Sequence, residues 1–148
     1  MKMMKGDLIS LAENGKFNVI VHGCNCFNNM GAGIALTIKN KYPLVYKNDC
    51  STAKGDKSKL GTINSTFIPN KGFIIVNAYT QYRYGNGINV DYDAIRECFK
   101  MIAILYPKYK IGYPKIGAGF AGGDWSIISN IINEELKNLT HTLVIYEQ

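Results

Sequence analysis

From Asn18 to Asn25 the chain reads Asn-Val-Ile-Val-His-Gly-Cys-Asn, opening on an apolar run without alternation. Such a run predicts a strand covered on both faces. Gly31–Lys41 predicts a helix, closed by Tyr42-Pro43. Gly61–Ile68 and Gly72–Tyr79 predict two strands joined by a Pro69-Asn70-Lys71-Gly72 turn. Asp91 is placed as the N-cap of a helix running to Leu105, with Ile95, Cys98, Met101, Ile102 and Leu105 on its apolar face. Lys110–Pro114 then predicts a short strand ending at a loop, Trp125–Leu136 a helix, and Thr142–Tyr146 a closing strand. Strands alternating with crossover helices predict an α/β fold with a largely parallel sheet covered on both sides. Ligands of such sheets bind at the carboxyl ends of the strands, where the chain switches direction.

Two glycine-rich segments fall at such places. Gly31-Ala32-Gly33 and Gly117-Ala118-Gly119-Phe120-Ala121-Gly122-Gly123 each follow a predicted strand and lead into a helix. Glycines there let backbone N–H groups approach an anion, and the helix N-terminus adds a favourable dipole. Two such loops on one sheet suit a ligand with two adjacent phosphates. Neither matches the P-loop pattern or the dinucleotide fingerprint, so nucleotide hydrolysis by a P-loop and nicotinamide chemistry on a Rossmann fold are both disfavoured.

Composition changes this picture little. The chain has 148 residues, 47% of them hydrophobic and 19% charged, which is globular, and residues 1–148 are expected to form one domain. The net charge of +6 favours an anionic partner without naming one. No apolar run is long enough to span a bilayer and no signal peptide is recognisable, so a cytoplasmic protein without a membrane partner is expected. The Lys/Asn/Ile-rich composition suits an AT-rich genome such as a phage's, in which case the setting is the host cytoplasm. Cys24, Cys26, Cys50 and Cys98 are expected to be free thiols, and no cofactor or metal is expected. The tyrosines of Tyr79–Tyr84 either line a nucleotide pocket or pack, and specific nucleic-acid binding is not expected.

The ordered set Gly6-Asp7-Leu8-Ile9, Val21-His22-Gly23-Cys24-Asn25, Gly31-Ala32-Gly33-Ile34-Ala35, Pro114-Lys115-Ile116-Gly117-Ala118-Gly119 and Gly123-Asp124-Trp125 resembles a macrodomain. It is most similar to the branch containing ADP-ribose 1″-phosphate phosphatases and terminal ADP-ribose glycohydrolases. The resemblance covers nearly the whole chain and implies a three-layer α/β/α sandwich with a mixed, largely parallel sheet. It implies that Asp7 bonds the adenine amino group and that the Leu8 amide reads the ring. Asn25 would contact the distal ribose, Gly31, Ala32, Gly33 and Ile34 would form the first phosphate loop, and Ile116, Gly117, Ala118, Gly119 and Phe120 the second. Each has a plainer alternative: Asp7 as a turn residue, Asn25 as an anchor for its own loop, Asp124 as a helix cap.

The glycohydrolases of this branch carry an aspartate shortly after the loop glycines and a lysine that forms a ribose adduct. Phe120-Ala121-Gly122 holds no acid here, and no lysine occurs between Tyr79 and Lys100. The resemblance therefore points to hydrolysis of ADP-ribose 1″-phosphate, with His22 and Asp124 as candidates to orient or deprotonate water. The alternatives are a non-catalytic ADP-ribose binding module and removal of ADP-ribose from modified macromolecules.

Overall fold

The computed structural model describes residues 1–147. In chain order the elements are β1 (Lys2–Gly6), α1 (Leu8–Glu13), β2 (Val19–Asn25), α2 (Gly33–Lys41), α3 (Pro43–Cys50), a 3-10 turn (Lys57–Lys59), β3 (Ile63–Ile68), β4 (Phe73–Gln81), α4 (Tyr92–Leu105), β5 (Ile111–Tyr113), α5 (Trp125–Glu135) and β6 (His141–Tyr146). The six strands form one sheet in the order β1-β6-β5-β2-β4-β3. All neighbours are parallel except β3 and β4, as expected for a mixed, largely parallel sheet.

The apolar run of β2 is buried because both faces of the sheet are covered. Val19 and Val21 face α4 and α5, together with Ile95, Phe99, Ile128 and Ile132. Ile20 faces the other way and packs with Leu8, Ile9, Ile38 and Val45 from α1, α2 and α3. The chain leaving β2 enters α2 on one face, and the chain leaving neighbouring β5 enters α5 on the other. That divergence opens a crevice at the carboxyl ends of the two strands.

Some local expectations are corrected. The stripe that α4 buries is Ala94, Ile95, Cys98, Phe99 and Ile102, whereas Met101 and Leu105 are 43% and 50% exposed. At 3.6 residues per turn Met101 falls just outside the stripe that faces the sheet, and Leu105 is the last residue of the helix. Pro43, read as the end of a helix, also begins the next one, since a missing N–H costs nothing at a first helical position. β1 escaped the pattern because it is an edge strand paired only with β6, and its lysines face solvent. α1 has only 6 residues and depends on the Asp7 cap.

The second glycine loop is closed by the Gly123 amide, which donates to Gly117 O at 2.7 Å. A methyl at Gly123 would lie 2.6 Å from that same carbonyl and 2.7 Å from Val90 Cγ1. Gly123→Ala is therefore predicted to lower unfolding stability by roughly 1–3 kcal/mol through overpacking. Urea denaturation of the two proteins checks this.

Candidate functional site

Two cavities open at the carboxyl ends of the parallel strands, on either side of the start of α2. The larger, about 610 Å³, lies over the ends of β1, β6 and β5. Its lining is largely apolar, with Leu8, Ile9, Ile34, Pro114, Val144 and Ile145, and is edged by Asp7, Thr37, Lys115 and Tyr146. The smaller, about 450 Å³, lies over β2 and β4 and is lined by Gly23, Cys24, Asn25, Asn29, Ala35, Gln81, Tyr84, Gly85, Asn86 and Phe120. Gly31 and Ala32 line the second cavity, while Gly33 and Ile34 line the first. The two hollows thus meet at Ala32–Gly33, the first turn of a helix.

That first turn is the only long-helix start left without a side-chain cap or a proline among the described residues. Asp91 caps α4 and Asp124 caps α5, but Ala32 stands at the N-cap of α2 and offers no acceptor. α3 begins with Pro43 instead. The N–H groups of Gly33, Ile34 and Ala35 have no protein acceptor among the described residues. Free N–H groups together with the positive end of the helix dipole make this turn an anion seat. Gly33 has φ 55, and a methyl on it would come within 3.3 Å of the Phe120 ring, so the tip of the second loop lies against the first loop here. Phe120 is 80% exposed, an unusual cost for an aromatic side chain that covers only this junction.

The predicted residues divide into three groups. Asp7, Leu8, Gly33 and Ile34 line the larger cavity; Asn25, Gly31, Ala32 and Phe120 line the smaller. Asp7 Oδ1 accepts from Ser10 N at 2.9 Å, so one carboxylate oxygen caps α1. Asn25 anchors its own loop, accepting from Phe27 N at 2.9 Å and donating to Asn29 O at 2.8 Å. A register shift between Cys24 and Asn25 skips Thr80 of β4 and pairs Asn25 with Gln81, at the point where Asn25 reaches the cavity. Ile116, Gly117, Ala118 and Gly119 shape the second loop without lining either cavity; Ile116 is buried in the core.

His22 and Asp124 line neither cavity. The His22 ring is 1% exposed and pairs with Asn77 Oδ1 at 2.5 Å. Burial lowers its pKa to about 4, only partly opposed by the Asn77 bond. Asp124 accepts from Ser126 Oγ at 2.7 Å and from Ser126 N at 2.9 Å, as a helix cap does. Those bonds hold its carboxyl below the usual range. Cys24 is the thiol that reaches a cavity, but burial, reinforced by the charge of Asp49, pushes it well above its ordinary pKa. It is a thiol and not a thiolate nucleophile.

Sequence reasoning missed Gln81, Gly85 and Asn86, which follow β4 over the smaller cavity, and Val144, Ile145 and Tyr146, which floor the larger. Of the tyrosine group, Tyr84 lines the cavity, Tyr79 is buried and Tyr82 bonds Gly55 O at 2.6 Å. The cysteines are free thiols, three buried and Cys50 exposed. Among the described residues no group of three or more metal-ligating side chains occurs, and no helix is long and apolar enough to cross a membrane.

Together these features define a three-layer α/β/α domain with an anion-suited groove across its strand ends. No family model matches the chain. It is 34% identical to the uncharacterized 17.5 kDa protein of the tk-vs intergenic region of enterobacteria phage T4, over 99% of this chain and 96% of that protein. A segment covering 44% of this chain is 33% identical to the ADP-ribose 1″-phosphate phosphatase of Meyerozyma guilliermondii, of which it spans 37%. Among solved structures, the macrodomain of Thermus aquaticus DarG superposes with a TM-score of 0.76 at 22% identity, covering 99% of this chain and 97% of that one. Thermosipho africanus DarTG in complex with ADP-ribose gives 0.76 at 19% identity over 99% of this chain and 41% of its own. The chain has the macrodomain fold and is related over its whole length to the phage protein.

The buried histidine has a consequence for stability. His22 titrates at about 4 in the folded protein against 6.5 when unfolded, so between those values the unfolded chain binds the extra proton. Its contribution is complete above pH 6.5 and is lost as pH falls toward 4, on the order of 3 kcal/mol in all. His141, also lowered to about 4 by burial, acts in the same direction. Urea midpoints measured across this window are predicted to fall with pH, and His22→Gln is predicted to flatten the decline.

Proposed function

We propose that the chain binds ADP-ribose along this groove and hydrolyses the 1″-phosphate ester of that ligand. Adenine enters the larger cavity, where the second oxygen of Asp7 and the amide of Leu8 read its edge against Leu8, Ile34 and Val144. The pyrophosphate lies on the free amides of Gly33, Ile34 and Ala35, facing the Gly119–Phe120 tip. The distal ribose enters the smaller cavity beside Asn25, Gln81 and Asn86. The uncapped first turn of α2, set between two cavities, is the observation that carries this reading. The ADP-ribose complex of the structurally similar Thermosipho protein supports the ligand, and the partial likeness to the Meyerozyma phosphatase supports the reaction. The phage relative supports a host-cytoplasm setting.

In this reading the adenosine and pyrophosphate supply binding energy that holds the monoester in place. Backbone amides and the Asn25, Asn29 and Gln81 side chains polarise the reacting phosphate and orient water. His22 acts from within β2 as a buried neutral group beside Cys24, and Asp124 acts through the helix start it caps. With such weak base catalysis, turnover is slow.

A second reading, binding without turnover, is favoured by one feature. Among the described residues, no His, Asp, Glu or Lys side chain lines the smaller cavity. Calorimetry with ADP-ribose and phosphate release from the monoester in chelator separate the two. The proposal expects both binding and release. Binding without release leaves the module, and no binding removes both. Gly33→Val places a β-branched residue at a positive φ against Phe120, and is predicted to weaken ADP-ribose at least about tenfold.

A further inference from the structure

Behind the rim of the smaller cavity lies a buried charge that the proposed groove does not contact. Lys59 closes the 3-10 turn and is 7% exposed. Its Nζ donates to Asn28 Oδ1 at 2.9 Å and to Cys26 O at 3.3 Å. It also sits 4.8 Å from the centroid of the Tyr79 ring, whose hydroxyl donates to buried Asp49 at 2.6 Å. Among the described residues no carboxylate lies within ion-pair distance of this ammonium. Burying a cation without such a partner is unfavourable unless other groups take its hydrogen bonds, and here the acceptors belong to the cavity rim.

Asn28 has φ 57, in the left-handed region that asparagine enters more readily than other non-glycine residues. The rim Asn25–Asn29 is thus fastened at two points. Asn25 fastens it from inside, through Phe27 N and Asn29 O. Lys59 fastens it from outside, through Cys26 O and Asn28.

We propose that Lys59 is a positioning residue that sets the selectivity of the smaller cavity. It holds Cys26 and Asn28 so that Asn25 and Asn29 present their amides to a distal sugar. Without the ammonium, Cys26 O keeps the Gly55 amide at 2.7 Å, but Asn28 Oδ1 keeps only Thr52 at 3.5 Å. The left-handed turn then relaxes and the rim withdraws from the cavity. The larger cavity is built from other segments, and the first turn of α2, joined to the rim through the Gly31 amide on Asn29 Oδ1 at 3.1 Å, keeps the helix hydrogen bonds that define it. The inference rests on the ADP-ribose reading of the groove, and it separates that ligand from ADP, which lacks the distal ribose.

The test is calorimetric affinity for ADP-ribose and for ADP in the wild-type protein and in Lys59→Met, with near-UV circular dichroism to show the fold. The wild type is expected to prefer ADP-ribose by at least about tenfold. Lys59→Met is expected to keep its ADP affinity within about twofold and to lose most of that preference. An unchanged preference, or parallel loss for both ligands, overturns the inference; parallel loss would mark Lys59 as a general support of the fold. Should Lys59→Met not fold, Asn28→Gly, which accepts the positive φ and removes the acceptor, is expected to lose the preference in the same way, and its failure to do so overturns the inference. A wild type that binds neither ligand, or does not prefer ADP-ribose, refutes the reading of the groove itself, and this result is visible before any variant is compared.

Discussion

The structure turns on a helix start with nothing to bond. Three amides at the head of α2 face outward from a turn whose cap position is an alanine. Leaving backbone donors unpaired is unfavourable where water is scarce, and capping side chains usually answer it. The rest of the groove follows from keeping these amides free and reachable. β2 delivers α2 to the crevice edge, the second loop folds Phe120 across the junction, and the sheet ends leave a hollow on each side. An anion with a group attached at both ends fits this arrangement better than a lone phosphate.

The support behind the groove is polar, where most of the sheet is packed with aliphatic side chains. His22 and Asn77 pair beneath β2, Asp49 and Tyr79 pair behind β4, and Lys59 reaches the rim between Cys26 and Asn28. Each pair is buried, so each constrains geometry more tightly than an apolar contact of the same size. The conformation of the Asn25–Asn29 rim is therefore set from both sides. His22, a candidate catalytic group in the sequence, is buried in this support against Asn77.

Much of this was legible in the chain because periodicity and turn chemistry are local. The buried run of β2, the caps Asp91 and Asp124, and the two glycine loops at strand ends all occur where the pattern placed them. The larger cavity was half legible, through Asp7 and Leu8, while its floor of Val144, Ile145 and Tyr146 depends on β6 pairing beside β1. What sequence could not give was the direction of side chains on a strand with one face toward α1–α3 and the other toward α4 and α5. His22 and Asn25 stand three residues apart on β2, yet one is sealed against Asn77 and the other reaches the cavity at a register shift. That shift is set by the neighbouring strand, and no local pattern in β2 announces it. Gln81 and Asn86 stayed hidden for a similar reason, since only the fold brings the end of β4 over Asn25.

The central claim is that the free amides of α2 receive the pyrophosphate of ADP-ribose. Titrating isotope-labelled protein with ADP-ribose, while following backbone amide resonances, tests it most directly. The account predicts that Gly33, Ile34 and Ala35 shift most, with Gly119 and Phe120 moving in step and at the same ligand concentration. Saturable binding that leaves those five amides unmoved would contradict it.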